Sequence, residues 1–99
     1  MPDVEITHEM SGKRGRYVAP VEGADPAELT TFELRPGVLV ADHTFVPVEA
    51  RGKGIAQALV ERLFADARKG GLRIVPGCSY VRSYAARHRD ATADVIVDR

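Results

Sequence analysis

Apolar residues recur along this chain first at the spacing of strands and then at that of helices. Apolar or alternating segments bounded by Gly and Pro predict four strands; they cover residues 15–21, 27–34, 38–48 and 72–75. A wide apolar stripe at helical period predicts an amphipathic helix over about 54–69; it consists of Ile55, Ala56, Leu59, Val60, Leu63 and Phe64. A last helix is predicted over about 80–89, with Ser79 as its N-cap.

The order of these elements indicates the topology. The first three strands follow each other through short connections and predict an antiparallel meander. Strand, helix and strand then form a βαβ unit, so residues 72–75 should run parallel to residues 43–46. We expect a short edge strand around Val4 and Ile6, and a further turn or short strand in the tail at 90–99. The fold class predicted is therefore α/β (α+β), a single domain over 1–99 with a mixed five-stranded sheet, an antiparallel N-terminal meander and a C-terminal βαβα unit.

A glycine-bearing turn opens the long helix, in the sequence Arg51-Gly52-Lys53-Gly54. The first amides of a helix have no partner within it, and two glycines remove side chains from the path to them. Cations oppose the dipole at a helix start, so an anion held there explains this turn better than a ligand-free connection does. The P-loop pattern fails because Gly54 stands where Ser or Thr is needed, and the dinucleotide fingerprint fails at Gln57.

Composition excludes several other classes. The 99 residues carry 14 Lys plus Arg and 14 Asp plus Glu, so no bulk field draws in nucleic acid or an anionic membrane. No apolar run is long enough for a membrane span, and no signal segment opens the chain. The single cysteine excludes an internal disulfide and, without a signal segment, predicts a reducing cytoplasm. One cysteine and three histidines make no metal-ligand set, so we expect no metal.

Three short motifs carry a resemblance to a known family. They are Arg-x-x-Gly-x-Ala at 51–56, His-Thr-x-Val-Pro at 43–47 and Val-Pro-x-Cys-x-Tyr at 75–80. Together they resemble the short, single-domain branch of the GCN5-related N-acetyltransferases. The resemblance implies transfer of an acetyl group from acetyl-coenzyme A to an amine on a small molecule or protein, by a cytoplasmic monomer or weak dimer. The alternatives are a non-catalytic coenzyme A-binding module and a protein-interaction domain.

The same resemblance implies a set of coenzyme-binding positions. It places pyrophosphate on the glycine turn and the pantetheine arm in a gap beside the third long strand, where Pro47 would mark a bulge; otherwise that strand simply ends at Val46. The residues implied are Val46, Val48, Arg51, Gly52, Lys53, Gly54, Ile55, Ala56, Cys78 and Tyr80.

Candidate catalytic residues each keep a structural alternative. Cys78 precedes a helix start, where amides stabilise a thiolate, and the resemblance places it near the coenzyme thiol as nucleophile or acyl acceptor; a buried packing role is the alternative. The resemblance implies a tyrosine on this helix that protonates the departing thiolate, which would be Tyr84; packing in the core is the alternative. His43 would act as general base or hydrogen-bond within its strand, with Glu49 and Asp42 as other candidates for the base.

Overall fold

The computed structural model describes residues 5–97. Five strands form one sheet in chain order, antiparallel from the first to the fourth, with the fifth parallel to the fourth. The strands are β1 Thr7–Ser11, β2 Arg14–Ala19, β3 Ala27–Arg35, β4 Val38–Phe45 and β5 Arg73–Pro76. The helices are α1 Ile55–Gly70, α2 Ser79–Arg87 and α3 Arg89–Thr92, with a 3₁₀ turn at Val48–Ala50. The predicted mixed sheet and βαβα unit are confirmed.

Both ends of the chain differ in detail from the expectation. The edge strand begins at Thr7, so Ile6 lies just before it, and Val4 lies outside the described residues. In the tail, α3 is followed by a single parallel bridge between Ile96 and Ile74 of β5.

The helices pack on one face of the sheet and share its core. Inward-facing residues of β2 and β3 alternate with half-exposed ones, because successive strand residues point to opposite faces. The stripe predicted for α1 is buried against them, at Leu59, Val60, Leu63 and Phe64. α2 adds Val81 and Tyr84 to the same cluster. Gly71 ends α1 in a left-handed conformation, with φ +71°.

β4 and β5 pair over only four residues and then separate. Val38 to Ala41 are in register with Arg73 to Pro76, so β5 runs parallel to β4 as predicted, and the paired residues lie earlier in the strand than 43–46. At the point of separation the Ala41 carbonyl accepts the amides of both Gly77 and Cys78, each at 2.9 Å. A Cβ at Gly77 would lie 2.9 Å from Val40 Cγ1 and 3.0 Å from the Ala41 oxygen, so this approach requires glycine.

A β-bulge in β4 lies at Asp42 rather than at Pro47, where it was predicted. Thr30 is in register with His43 and Thr31 with Ala41, which leaves Asp42 without a partner of its own. The ladder then ends at Phe45, and Pro47 precedes the 3₁₀ turn.

The start of α2 also differs from the prediction. Its N-cap is Cys78 rather than Ser79, and the Cys78 Sγ accepts the Val81 amide at 3.5 Å.

Candidate active site

A cleft of about 490 Å³ opens where β4 and β5 separate. The end of β4, the turn before α1 and the start of α2 form its walls. Its lining residues are Thr44, Val46, Ala50, Arg51, Gly52, Gly54, Ile55, Ala56, Gln57 and Tyr80. The gap between the strands and the glycine turn therefore meet in one cavity.

The N-terminus of α1 faces this cleft, and its N-cap, Gly54, has no side chain to cap it. The first hydrogen bond of the helix joins the Ala58 amide to the Gly54 carbonyl at 3.0 Å, so the amides of residues 55–57 are left outside the helical ladder. No side chain caps the helix, and no acidic residue lies in its first turn. Unused amides together with the helix dipole favour an anion at this position.

Gly52 and Gly54 make this approach possible. Their φ angles are +81° and +77°, in the left-handed region that other residues adopt only with strain. No atom lies within 4 Å of a Cβ built at either glycine, so the space above the turn is open. Glycine is therefore needed here for the backbone conformation, and its small size leaves the approach clear.

The two cations of the turn are placed differently. Arg51 lines the cleft, and its Nε donates to the Val46 carbonyl at 3.2 Å, which fixes the base of an exposed guanidinium group. Lys53 is exposed, and it is outside the cleft lining. Of these two residues, only Arg51 is held at the cleft.

Val46 and Val48 were expected to act together and are separated. Val46 lines the cleft, whereas Val48 is 72% exposed and lines a neighbouring groove. The Val48 carbonyl already accepts the Arg51 amide at 3.2 Å as part of the 3₁₀ turn. Val48 therefore does not contact the cleft, because the chain turns away from the strand direction at Pro47.

Cys78 lies beside the cleft and contacts its wall. Its Sγ is 3.3 Å from Thr44 Oγ1, and either atom can be the donor. With the Val81 amide on the same sulfur, the thiol has two polar neighbours at the start of a nine-residue helix. Tyr80, the half-buried second residue of that helix, completes this end of the cleft.

Tyr84 is placed in the core instead of the cleft. Only 8% of the residue is exposed, its ring stacks on Phe64, and its hydroxyl donates to Glu61 Oε2 of α1 at 3.3 Å. Burial, and then the nearby Glu61 carboxylate, raise the pKa of Tyr84 above its ordinary value. Since it is four residues from Tyr80 on α2, both rings would suit the sequence pattern, but Tyr80 is the one that lines the cleft.

His43 points away from the cleft. Consecutive residues normally alternate between faces, but the bulge places Asp42 and His43 together on the outer face. Asp42 accepts hydrogen bonds there from Thr30 Oγ1 at 2.9 Å and from Arg14 at 3.3 Å. Thr44 is consequently the residue that turns inward, opposite the buried Leu29. Glu49 lies outside the cleft lining and borders the neighbouring groove.

Three lining residues had no assigned role in the sequence: Thr44, Ala50 and Gln57. Thr44 was visible only as part of the His-Thr motif. Its position inside the cleft follows from the bulge, which has no signature in the apolar pattern.

This chain belongs to the GCN5-related N-acetyltransferase family, because the model of that family matches residues 16–95. Its structure is similar to the solution NMR structure of a GCN5-like protein from Staphylococcus aureus, with a TM-score of 0.70 and 24% identity. That match covers 100% of this chain and 93% of the other, and at this identity it supports the fold alone. A search of curated protein sequences finds no match to this chain.

Within residues 5–97, none of the helices is long and apolar enough to cross a membrane. No group of three or more His, Cys, Asp or Glu side chains in this range is arranged to hold a metal ion.

Proposed function

We propose that this protein binds acetyl-coenzyme A in the cleft between β4 and β5 and transfers the acetyl group to an amine. One observation carries the proposal: the N-terminus of α1 has no side-chain cap, and it faces a cleft that extends to Thr44 and Tyr80. Gly52 and Gly54 open the way to it through their left-handed conformations. Family membership supports the reaction type.

The residues present fit the two ends of the coenzyme. A pyrophosphate would accept hydrogen bonds from the amides of residues 55–57, and the anchored Arg51 would add charge. The pantetheine arm would lie along Val46, where β4 has lost its partner strand. Neither placement requires the backbone to move, because the turn and the gap are already open.

The acyl end would lie near Thr44, Cys78 and Tyr80. In the direct reaction a neutral amine attacks the thioester carbonyl, a C–N bond forms and the C–S bond breaks. The nitrogen then releases a proton to become an amide, and the coenzyme thiolate takes up a proton to become a thiol. Thr44 and Tyr80 both line the cleft, and Tyr80 is the better proton donor because a phenol is far more acidic than the aliphatic hydroxyl of Thr44. Cys78 would instead take the acetyl group first if transfer proceeds through a thioester on the protein.

A non-catalytic coenzyme A-binding module is the second candidate. The observation that favours it is the outward position of His43, which removes the most plausible base from the cleft. Binding and turnover therefore have to be measured separately. The cytoplasmic location and the monomeric or weakly dimeric state predicted from the sequence stay predictions.

The test is calorimetric titration with acetyl-coenzyme A, followed by mass spectrometry of the protein and of a panel of amines. We expect saturable binding of acetyl-coenzyme A. We also expect an acetylated amine that forms only when the protein is present. Binding without transfer to any amine or to Cys78 would support the non-catalytic module. An absence of binding by folded protein would refute both candidates.

A further inference from the structure

A second concavity lies on the other side of the Pro47–Arg51 segment. This loop-side groove has a volume of about 580 Å³ and lies between the β2–β3 loop, at residues 23–25, and the end of β4. It shares Arg51 with the coenzyme cleft, so the two are separated by one short segment of chain. Neither the family match nor the proposed coenzyme site gives this groove a role.

The groove combines exposed apolar surface with two carboxylates. Phe45 is 37% exposed and Val48 is 72% exposed, which is the largest exposure among the large apolar residues described. Asp25 and Glu49 are both exposed, and within residues 5–97 neither takes part in an ion pair or side-chain hydrogen bond. Two other carboxylates of the sheet are paired, Glu28 with Arg16 at 2.7 Å and Asp42 with Arg14 at 3.3 Å.

The charge of the groove depends on the coenzyme. Arg51 opposes the two carboxylates while its guanidinium group is free. Once that group lies against pyrophosphate, its charge is balanced, and Asp25 and Glu49 dominate the groove. A cation is therefore the complementary partner, and it should bind more tightly when coenzyme A is present.

The shape of the groove distinguishes between kinds of cation. Small-molecule sites usually bury most of the ligand surface, but Gly23, Asp25, Val48, Glu49 and Arg51 are all exposed here. An extended segment can lie across such an open surface, with apolar side chains on Phe45 and Val48 and basic ones at the carboxylates. A free polyamine would leave the apolar surface unused.

We infer that the loop-side groove docks a basic, lysine-bearing peptide segment as the acceptor of the acetyl group. The inference rests on the proposed function for the reaction and for the tighter binding with coenzyme A. The docking itself rests on the groove, where Asp25 and Glu49 outnumber Arg51. Asp25 and Glu49 hold a basic side chain, Val48 and Phe45 hold an apolar one, and a second lysine of the segment reaches the cleft beside Pro47.

The test is fluorescence polarisation with a fluorescein-labelled heptapeptide that alternates lysine and leucine, with and without saturating coenzyme A. The variant Asp25→Asn/Glu49→Gln should weaken peptide binding by about fivefold or more, as expected for the loss of two exposed charge pairs. Its matched control is Glu5→Gln/Asp90→Asn, which makes the same charge change at exposed residues outside both concavities. The control should bind the peptide as the parent does.

A second pair of variants tests the apolar part. Val48→Ser should weaken peptide binding. Met10→Ser should leave it unchanged, because Met10 is 58% exposed but lies on the edge strand, away from the groove. Spermidine is the competitor that tests the other kind of cation. If it displaces the peptide at concentrations as low as the unlabelled peptide does, the peptide assignment is overturned.

The two proposals fail in distinguishable ways. Calorimetry with coenzyme A on the parent reports on the cleft, whereas the polarisation measurement without coenzyme A reports on the groove. Equal peptide affinity of Asp25→Asn/Glu49→Gln and its control would overturn the docking inference, whatever the coenzyme does. Absence of coenzyme binding, with peptide binding still sensitive to these two carboxylates, would refute the proposed function and leave the groove supported.

Discussion

Replacing Gly54 by glutamate separates the conformation of the turn from its ligand. The residue lies at φ +77° as the N-cap of α1, with open space where a Cβ would be. A side chain there incurs the strain of the left-handed region, about 1–2 kcal/mol. For a chain of this size, that lowers Tm by between about 4 and 16 °C. No steric cost is added in the free protein.

Gly37 offers a matched control for that strain. It lies in the β3–β4 turn at φ +83°, again with no atom within 4 Å of a built Cβ, and it is outside the cleft lining. Gly37→Glu should therefore lose a similar amount of stability while leaving the cleft unchanged. Thermal unfolding of both variants shows whether each remains folded under the conditions of the binding measurement.

Of the two variants, only Gly54→Glu should weaken the binding of coenzyme A. Its carboxylate would occupy the path to the amides of residues 55–57 and repel the pyrophosphate. Loss of a single charge-assisted hydrogen bond is worth about 1.5–3 kcal/mol, which corresponds to about tenfold to hundredfold in Kd. Calorimetric titration of the two variants and the parent measures this difference. If folded Gly54→Glu binds coenzyme A as tightly as Gly37→Glu does, the turn does not hold the pyrophosphate.

Two further predictions concern the core and the thiol. Tyr17 is buried, and its hydroxyl donates to Asp66 at 2.9 Å, so Tyr17→Phe should lower the free energy of unfolding by about 1.5 kcal/mol in denaturant titrations near pH 7. Burial raises the pKa of Tyr17 above the ordinary value of 10.0. The stabilisation by the Tyr17 hydroxyl should therefore be complete below pH 10.0 and decline as the pH rises through the raised pKa. If Tyr17→Phe loses as much stability at alkaline pH as the parent does, this reasoning is wrong. For Cys78, which is partly exposed and 3.3 Å from Thr44, bound coenzyme A should slow alkylation by iodoacetamide. If coenzyme A does not change the alkylation rate, Cys78 does not belong to the coenzyme site.

Much of the architecture was determined by local sequence pattern. The apolar stripe from Ile55 to Phe64 has helical period, and its residues from Leu59 onward are buried in α1. The glycine turn was recognisable because positive φ angles and free helix amides are local properties of a few adjacent residues. The mixed sheet was also predictable, because a short βαβ unit allows essentially one handedness of crossover and places its two strands parallel.

The catalytic candidates depended on longer-range geometry, and there the sequence was insufficient. Tyr80 and Tyr84 are one turn apart on the same helix, so helical spacing alone treats them alike. Packing against α1 buries Tyr84 beside Phe64 and Glu61 and leaves Tyr80 in the cleft wall. Which ring is available depends on how two helices meet, and neither helix contains that information by itself.

The β4 bulge is the clearest case of a feature that only the tertiary structure decided. One extra residue, Asp42, is accommodated against β3, and its carboxylate bonds to Thr30 and Arg14 from other strands. Because side chains alternate with a period of two, this single insertion reverses the facing of every later residue in the strand. The sequence determined that a strand leads into an anion-binding turn; the cross-strand register decided that Thr44, rather than His43, faces the cleft.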